Sequence, residues 1–372
     1  MRTKTFSIGP AGYALYLVLA VMVIVCLIEG IALFVERSHG KVFPFLYSPR
    51  TNESTQLRTL EGDPLFLALD PILGYAHRQN EPMSTPIQTP HEIIPGFVRY
   101  GLHTYDKRIV VLGGSTTDPF PYGNSWPEEL AKLLQAENFE VSVFNGGVGG
   151  YSSSQELLKL IRDVFELKPF LVIAYDGLND LDNWSPTPWP MVHRYQRTVF
   201  DYLAQSSDRQ FPILFNSLTL LRRMMNGKEN LPHPDTVSLG IPTELSAGEY
   251  LTRNMEFMYA LSQNRQVHFR GFLQPVVGFG DYQMNDMDKQ RLEKRGGDYL
   301  AALQRTYEIA SRETRRHDFW IDLTNIFANH QDVFMSDGRH LTQKGNHIIA
   351  TAILEKIRPI LTTSAPTNPA RF

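Results

Sequence analysis

The sequence has one cysteine among 372 residues and no marked excess of charge of either sign. Cys26 alone permits neither an intrachain disulfide nor a cysteine-based zinc site. Lys and Arg number 36 against 39 Asp and Glu, a formal net charge of −3, so we expect no nucleic acid partner. The 11 histidines form no HxxxH or HxH pattern with carboxylates, so no metal site is predicted. A hydrophobic content of 42% excludes a disordered or collagen-like chain.

One long apolar run lies near the N-terminus. Residues 13–35 are apolar except for Glu29, and as a helix of ~1.5 Å per residue they extend ~34 Å, enough to cross a bilayer. Two basic residues before the run predict that residues 1–12 stay in the cytoplasm. A cleaved signal peptide is the alternative, because Gly30 and Ala32 are small residues suited to cleavage. We favour a retained anchor, because the run stays apolar beyond Ala32.

Composition divides the rest of the chain into segments. Residues 36–106 are rich in Pro, Gly and polar residues and predict a stalk followed by an irregular cap. From residue 107 strand and helix patterns alternate, which predicts a domain over 107–362 with an insertion at about 182–241. Residues 363–372 predict a flexible tail. With residues 13–35 as the anchor, we expect a single-pass inner-membrane protein whose domain is periplasmic or extracellular.

The domain sequence predicts an α/β architecture. Five apolar segments have the length of strands: 108–112, 141–145, 171–175, 268–273 and 319–323. Helical patterns separate or follow them: 126–135, 154–165, 246–263, 286–316 and the residues after Thr342. This order predicts a three-layer α/β/α sandwich around a mainly parallel five-stranded sheet. Two serine–glutamate pairs, Ser125 with Glu128 and Ser153 with Glu156, have the spacing of helix capping boxes.

Two loops at the expected carboxyl edge of the sheet hold a candidate nucleophile and a candidate base. Ser115 follows Gly114 at the end of the first strand and is a nucleophile only with a base beside it. Asp337 precedes His340 by three residues, close enough to hold the ring Nδ1–H and leave Nε2 as the base. Taken separately, the Ser115 motif also suits an ordinary turn, and the Asp337–His340 motif also suits a helix-entry loop with a surface histidine.

Two further loops at this edge carry candidate hydrogen-bond donors. The glycine-rich loop over 145–151 nearly matches a dinucleotide fingerprint, and Asp176 would suit a ribose, so a cofactor fold is one interpretation. The other is a glycine amide that faces a developing negative charge. Asn179 follows the third strand, and its side-chain amide suits an oxyanion, although a loop asparagine often binds only local backbone.

Together and in this order, the four loops resemble the SGNH (GDSL-like) hydrolase superfamily. The resemblance covers roughly residues 107–180 and 319–360. It implies a flavodoxin-like fold and a serine hydrolase of ester bonds without a cofactor. It also implies a catalytic triad of Ser115, Asp337 and His340.

The resemblance further implies an oxyanion hole. Its donors would be the backbone N–H of Ser115, the backbone N–H of Gly150 and the side chain of Asn179. Gly147 or Gly149 replaces Gly150 if the loop has a different register. The family usually has an acidic residue before the serine, where this sequence has Gly114.

These expectations predict a bacterial membrane-anchored esterase that removes O-acyl groups, chiefly O-acetyl, from a cell-envelope or exported glycan. One alternative is an O-acyltransferase with the same triad, served by a multi-pass partner on the Glu29 face of the membrane helix. A lysophospholipase-like lipid esterase and a non-catalytic glycan-binding subunit are the others. Trp184 and Trp189 in the insertion would stack on sugars or simply pack the insertion against the sheet.

Overall fold

The computed structural model describes residues 10–38, 67–70, 72–77, 87–120, 125–183 and 243–363. Trp184 and Trp189 lie outside these residues, as does nearly all of the predicted insertion. The N-terminal helix and the sheet belong to two separate compact units.

The N-terminal unit contributes one described helix, α1 (Pro10–Ser38). Its segment Gly12–Ile31 has a mean hydropathy of 2.7 and none of it is buried within the protein. By length and composition this segment is able to span a bilayer. A signal sequence has the same length and composition, so the helix by itself supports either interpretation of the apolar run.

The second unit is built on a mixed sheet whose centre is parallel. Five adjacent strands run parallel in the order β6, β5, β7, β8, β9. They are β5 (Arg108–Gly113), β6 (Ser142–Asn145), β7 (Leu171–Asp176), β8 (His268–Leu273) and β9 (Trp320–Asp322). This arrangement confirms the predicted α/β architecture. The strands were predictable because strands covered by helices on both faces have continuous apolar sequences.

Among the described residues the sheet has seven strands, two more than the five predicted, and the five predicted strands form its parallel part. The two additional strands, β3 (His91–Ile94) and β4 (Phe97–Tyr100), form an antiparallel hairpin. β4 pairs with β6, and Val98 lies opposite Asn145. Each strand has only four residues, and they are joined by a turn in which Gly96 has a φ of +79°. Such short apolar pieces in a proline-rich region carry little periodicity, so the sequence predicted only an irregular cap there.

A second, two-stranded sheet precedes this hairpin. It pairs β1 (Leu67–Asp70) with β2 (Gly74–His77) in antiparallel register, and Leu69 lies opposite Tyr75. Asp70 closes the turn by accepting hydrogen bonds from the backbone N–H groups of Ile72 and Leu73. Residues 67–70 and 72–77 therefore belong to a hairpin within the predicted stalk and cap segment.

Helices cover both faces of the sheet. Those described are α2 (Trp126–Ala136), α3 (Ser153–Lys159), α4 (Leu178–Asp182), α5 (Ala247–Asn264), α6 (Asp286–Arg295), α7 (Gly297–Thr314) and α8 (Gln343–Leu361). α2 and α8 pack together over one face, and α5 and α7 pack over the other. Ile109 and Val111 of β5 enter the first core, whereas Val110 and Leu112 enter the second, as the alternation of a strand requires. The segment over 286–316, predicted to be helical in one or two pieces, forms two helices.

The two predicted capping boxes were wrong, because Glu128 of the first and Ser153 of the second bond to buried partners elsewhere. Ser125 makes no side-chain capping bond, and Glu128 instead accepts hydrogen bonds from the backbone of Gln88 and Thr89. The residue that precedes α3 is Ser152, while the hydroxyl of Ser153 donates to Asp180 at 2.5 Å. These tertiary bonds tie the helix starts to neighbouring segments, which a local sequence pattern does not reveal.

Candidate active site

Ser115 lies in a tight turn at the carboxyl end of β5, near the centre of the sheet. The backbone N–H groups of Thr117 and Asp118 both donate to the carbonyl of Gly114 at 3.0 Å, which closes the turn around the serine. Thr117 is buried, and its hydroxyl accepts a hydrogen bond at 3.1 Å from the indole N–H of Trp126 in α2. The turn that presents Ser115 is therefore fixed by the helix that follows it.

A second turn, just before α8, brings His340 to the serine. His340 Nε2 lies 2.8 Å from Ser115 Oγ, and His340 Nδ1 lies 2.5 Å from Asp337 Oδ2. The other carboxylate oxygen of Asp337 accepts the backbone N–H groups of Arg339 and His340 at 2.9 and 3.0 Å. The histidine side chain is 12% exposed, whereas that of Asp337 is 40% exposed. The structure thus joins all three predicted triad residues in one hydrogen-bonded chain.

The electrostatics of the three hydrogen-bonded residues favour a charged Asp337 carboxylate beside the imidazole of His340. Partial burial alone would raise the pKa of Asp337, but the hydrogen bond and charge of His340 outweigh it, and the pKa lies below its ordinary value. Arg291 contributes in the same direction. An ionised Asp337 accepts the Nδ1–H of His340, which leaves Nε2 able to accept a proton from Ser115.

The glycine-rich loop after β6 contains three candidate oxyanion donors. The N–H of Gly147 donates to Asn145 Oδ1 at 2.9 Å, and the N–H of Gly149 donates to Asp118 Oδ2 at 2.7 Å. Gly150 has a φ of +81°, and its N–H has no acceptor among the described residues. Because the N–H groups of Gly147 and Gly149 are already bonded within the protein, Gly150 is favoured over them as the candidate oxyanion donor.

Asn179, in the first turn of α4, lies against the serine turn. Its Nδ2 donates to the carbonyl of Tyr151 at 2.8 Å, and an amide nitrogen has a second N–H to give. A Cβ at position 114 would lie 2.1 Å from this nitrogen, so any side chain there would displace the Asn179 amide. Gly114 therefore leaves the space in which the amide of Asn179 sits beside Ser115.

Two residues that support the glycine-rich loop were not predicted from the sequence: Asp118, which bonds to the loop, and His77, which bonds to Asp118. Asp118 accepts the Gly149 N–H, as described above, and the same oxygen lies 3.1 Å from His77 Nε2. Asp118 is a polar residue three positions after the serine that is 5% exposed, but nothing in the sequence marks its burial. His77 lies in the segment assigned to the cap, and no sequence signal connects it to the loop.

The structure disfavours the dinucleotide interpretation of the same loop. Asp176, the candidate ribose ligand, is buried, and that burial raises its pKa. Its neighbour Glu156 is also buried, with a pKa raised by burial and by Asp176. The two carboxyl groups therefore face each other inside the domain rather than a ligand. Over the described ranges, no group of three or more His, Cys, Asp or Glu residues is placed to hold a metal ion.

Comparison with known proteins gives one family match. The model of the GDSL-like Lipase/Acylhydrolase family matches residues 109–353, more than half of the chain. No curated protein matches the sequence.

Several solved structures are similar to the chain at low sequence identity. A lipase/acylhydrolase from Enterococcus faecalis is 15% identical, with a TM-score of 0.41 over 70% of this chain and 100% of that one. A mutant of Axe2, an acetyl-xylooligosaccharide esterase from a Geobacillus, is 13% identical, with a TM-score of 0.41 over 72% and 99%. The acetyl xylan esterase AlAXEase is 13% identical, with a TM-score of 0.40 over 67% and 99%.

Proposed function

Since this chain belongs to the GDSL-like lipase/acylhydrolase family of ester hydrolases, we propose that it is a membrane-anchored serine esterase outside the cytoplasm. Its substrate in this proposal is an O-acylated, chiefly O-acetylated, glycan of the cell envelope or an exported glycan. The observation that carries the catalytic part is the 2.8 Å separation of Ser115 Oγ and His340 Nε2. A hydroxyl becomes an effective nucleophile near neutral pH when a base lies at this distance.

The reaction has two halves. In the first, His340 Nε2 takes the proton of Ser115 as Oγ attacks the ester carbonyl, and the imidazolium then gives that proton to the leaving alcohol. The acyl group remains on Oγ. In the second, His340 takes a proton from water, the hydroxide oxygen bonds to the acyl carbon, and the proton returns to Oγ as the carboxylic acid leaves. Asp337 keeps the ring oriented and stabilises its charged form in both halves.

The developing oxyanion is stabilised by neutral donors. They are the backbone N–H of Ser115, the backbone N–H of Gly150 and the second side-chain N–H of Asn179. The loss of one such donor typically costs ~3–4 kcal/mol of transition-state stabilisation, or 10²–10³ in kcat. A loop of glycines suits this task, since no side chain intervenes between the backbone amides and the reacting carbonyl.

The compartment and the substrate class rest on α1. A retained apolar helix of this length, preceded by a short basic N-terminus, would hold the domain at the outer face of the inner membrane. The esters that a fixed enzyme meets there are O-acyl groups of envelope glycans and glycans in export, together with membrane lipids. We favour the glycan, and a lipid ester is the competing outcome of the experiment below.

Turnover of a small acetyl ester by the detergent-solubilised full chain tests the catalytic part. Ser115→Ala should lower kcat by ~10⁴-fold or more. Ser246→Ala is the control, since it removes the cap of α5 at a cost of about 1 kcal/mol but leaves the site intact. Activity of Ser115→Ala near that of the unmodified chain would exclude Ser115 as the nucleophile. Failure of a fluorophosphonate to label Ser115 would indicate a non-catalytic glycan-binding protein.

The substrate class is tested by mass spectrometry on envelope glycans and lysophospholipids incubated with the same protein. Loss of acetyl mass from the glycan, with Ser115→Ala inactive, supports the proposal. Movement of the acyl group to an added acceptor alcohol, without free acetate, would identify an acyltransferase. Cleavage of lysophospholipid alone would identify a lipid esterase.

A further inference from the structure

The hairpin formed by β1 and β2 lies outside the segment that the family model matches, yet it contacts the loops of the candidate site. Its last residue, His77, places Nε2 at 3.1 Å from Asp118 Oδ2, and the two side chains are 9% and 3% exposed. The edge of the His77 ring packs against Phe120, with the ring centroids 4.6 Å apart. Asp118, three residues after the candidate nucleophile Ser115, is therefore buried and paired with a largely buried histidine.

Asp118 connects this histidine to the glycine-rich loop. Oδ2 accepts both the His77 ring N–H and, at 2.7 Å, the backbone N–H of Gly149. Oδ1 accepts the backbone N–H of Phe120 at 3.0 Å. One carboxylate thus gathers three donors, and the residue that it holds in the loop directly precedes Gly150.

The same hairpin binds the loop on both sides of Gly150. The hydroxyl of Tyr75 donates to the carbonyl of Gly149 at 3.0 Å. The hydroxyl of Tyr151 donates to the carbonyl of Tyr75, and the two rings meet edge to face. Further along, Gln155 Nε2 donates to the carbonyl of Leu73 at 2.8 Å. The hairpin therefore fixes residues 149 and 151, between which the candidate oxyanion donor lies.

We propose that this hairpin is a positioning element of the active site, and that His77 acts through Asp118 to fix the direction of the Gly150 N–H. The inference rests on the proposed function, because it concerns the oxyanion hole of that reaction. A glycine at a φ of +81° has wide conformational freedom, and an oxyanion donor is effective only when it is held in place before charge develops. Because Asp118, Tyr75 and Tyr151 bond to the neighbours of Gly150, they supply that restraint.

His77→Leu removes the ring N–H and keeps a side chain of similar bulk. We expect kcat for a small acetyl ester to fall by ~10- to 100-fold with KM within ~3-fold, because a donor that is misplaced by about 1 Å affects the transition state more than the ground state. His77→Gln should recover most of kcat, since its Nε2 amide can reach Asp118. If His77 had only a structural role, its substitution would lower the amount of folded protein but not kcat per active site. Fluorophosphonate labelling of Ser115 counts the active sites.

His91→Leu is the matched control, because His91 is exposed on β3. In the described part of the chain its ring bonds only to the nearby carbonyl of Thr89. It should leave kcat unchanged. If His77→Leu does not fold, Tyr75→Phe decides, since it removes only the hydroxyl that holds the Gly149 carbonyl and should lower kcat several-fold.

The two proposals fail in different ways. Unchanged kcat in His77→Leu, or in Tyr75→Phe where it is the deciding variant, overturns the positioning role, provided that Ser115→Ala is inactive. Equal loss in His77→Leu and His77→Gln at unchanged labelling overturns the part assigned to the ring N–H. Full activity of Ser115→Ala overturns the proposed function itself.

Discussion

Gly114→Ala should separate stability from catalysis at this site. The new Cβ would lie 2.1 Å from Asn179 Nδ2 and 3.2 Å from the carbonyl of Tyr151. The amide nitrogen must therefore retreat by more than about 1 Å, which its side chain can do by rotation. The free energy of unfolding should change by less than ~1 kcal/mol, because only one neutral hydrogen bond, from Asn179 to Tyr151, is lost.

The catalytic cost should be much larger. A donor displaced by about 1 Å no longer reaches the oxyanion, and such a displacement costs ~10²-fold. We expect kcat of Gly114→Ala for a small acetyl ester to fall ~100-fold, with KM within ~3-fold. Asn179→Ala, which deletes the donor, should lose 10²–10³ in kcat.

A double-mutant cycle makes the assignment specific. In Gly114→Ala/Asn179→Ala the new methyl group has no Asn179 amide to displace, so kcat should equal that of Asn179→Ala within ~3-fold. Independent effects would instead combine to a loss of ~10⁴- to 10⁵-fold. Gly297→Ala is the control, because a Cβ there meets nothing within 4 Å. Near-normal kcat in Gly114→Ala, or multiplicative losses in the double variant, would refute the placement of Asn179 in the oxyanion hole.

Two further predictions concern buried charge. Lys159 is 1% exposed and donates to the carbonyls of Gly96 and Gly146 at 2.8 and 2.7 Å. Lys159→Met should therefore lower the free energy of unfolding in urea by ~2–4 kcal/mol, because both carbonyls lose their charged donor. A similar loss in Lys132→Met, at a partly exposed lysine, would contradict this reasoning. Burial raises the pKa of Asp176, so between ~4 and the raised pKa the folded state binds a proton that the unfolded state does not, and stability falls as pH rises. Asp176→Asn should therefore lose less stability than the unmodified protein between pH 5 and pH 8, and an unchanged pH dependence of urea unfolding would argue against a protonated Asp176.

The sequence predicted the elements whose signal is local. Strands such as 171–175 read as uninterrupted apolar runs, and the helix after Thr342 begins where predicted, with the Thr342 hydroxyl accepting the Gly345 N–H. The hairpin of β3 and β4 was missed because its strands join the sheet through β6, about 45 residues away in sequence. A pairing over that distance leaves no periodicity in so short a segment.

In the candidate site, too, contacts between residues close in sequence were predictable, whereas contacts between distant residues were not. Asp337 and His340 lie three residues apart, so their contact could be anticipated from spacing, and the family resemblance supplied the link to Ser115. His77 and Asp118 are 41 residues apart, and their contact depends on a hairpin that the sequence analysis placed in an irregular cap. The capping boxes were mispredicted because buried tertiary partners of Glu128 and Ser153 replaced the local capping bonds.

The separation of Ser115 and His340 along the chain has a consequence for biosynthesis. The two residues are 225 positions apart, and His340 is held by a turn that leads into α8, the helix that packs against α2. A polypeptide that emerges from the ribosome N-terminus first therefore carries its candidate nucleophile well before its candidate base. Until residue 340 has been added the candidate triad is incomplete, so we expect ester hydrolysis to begin only after α8 has docked against α2.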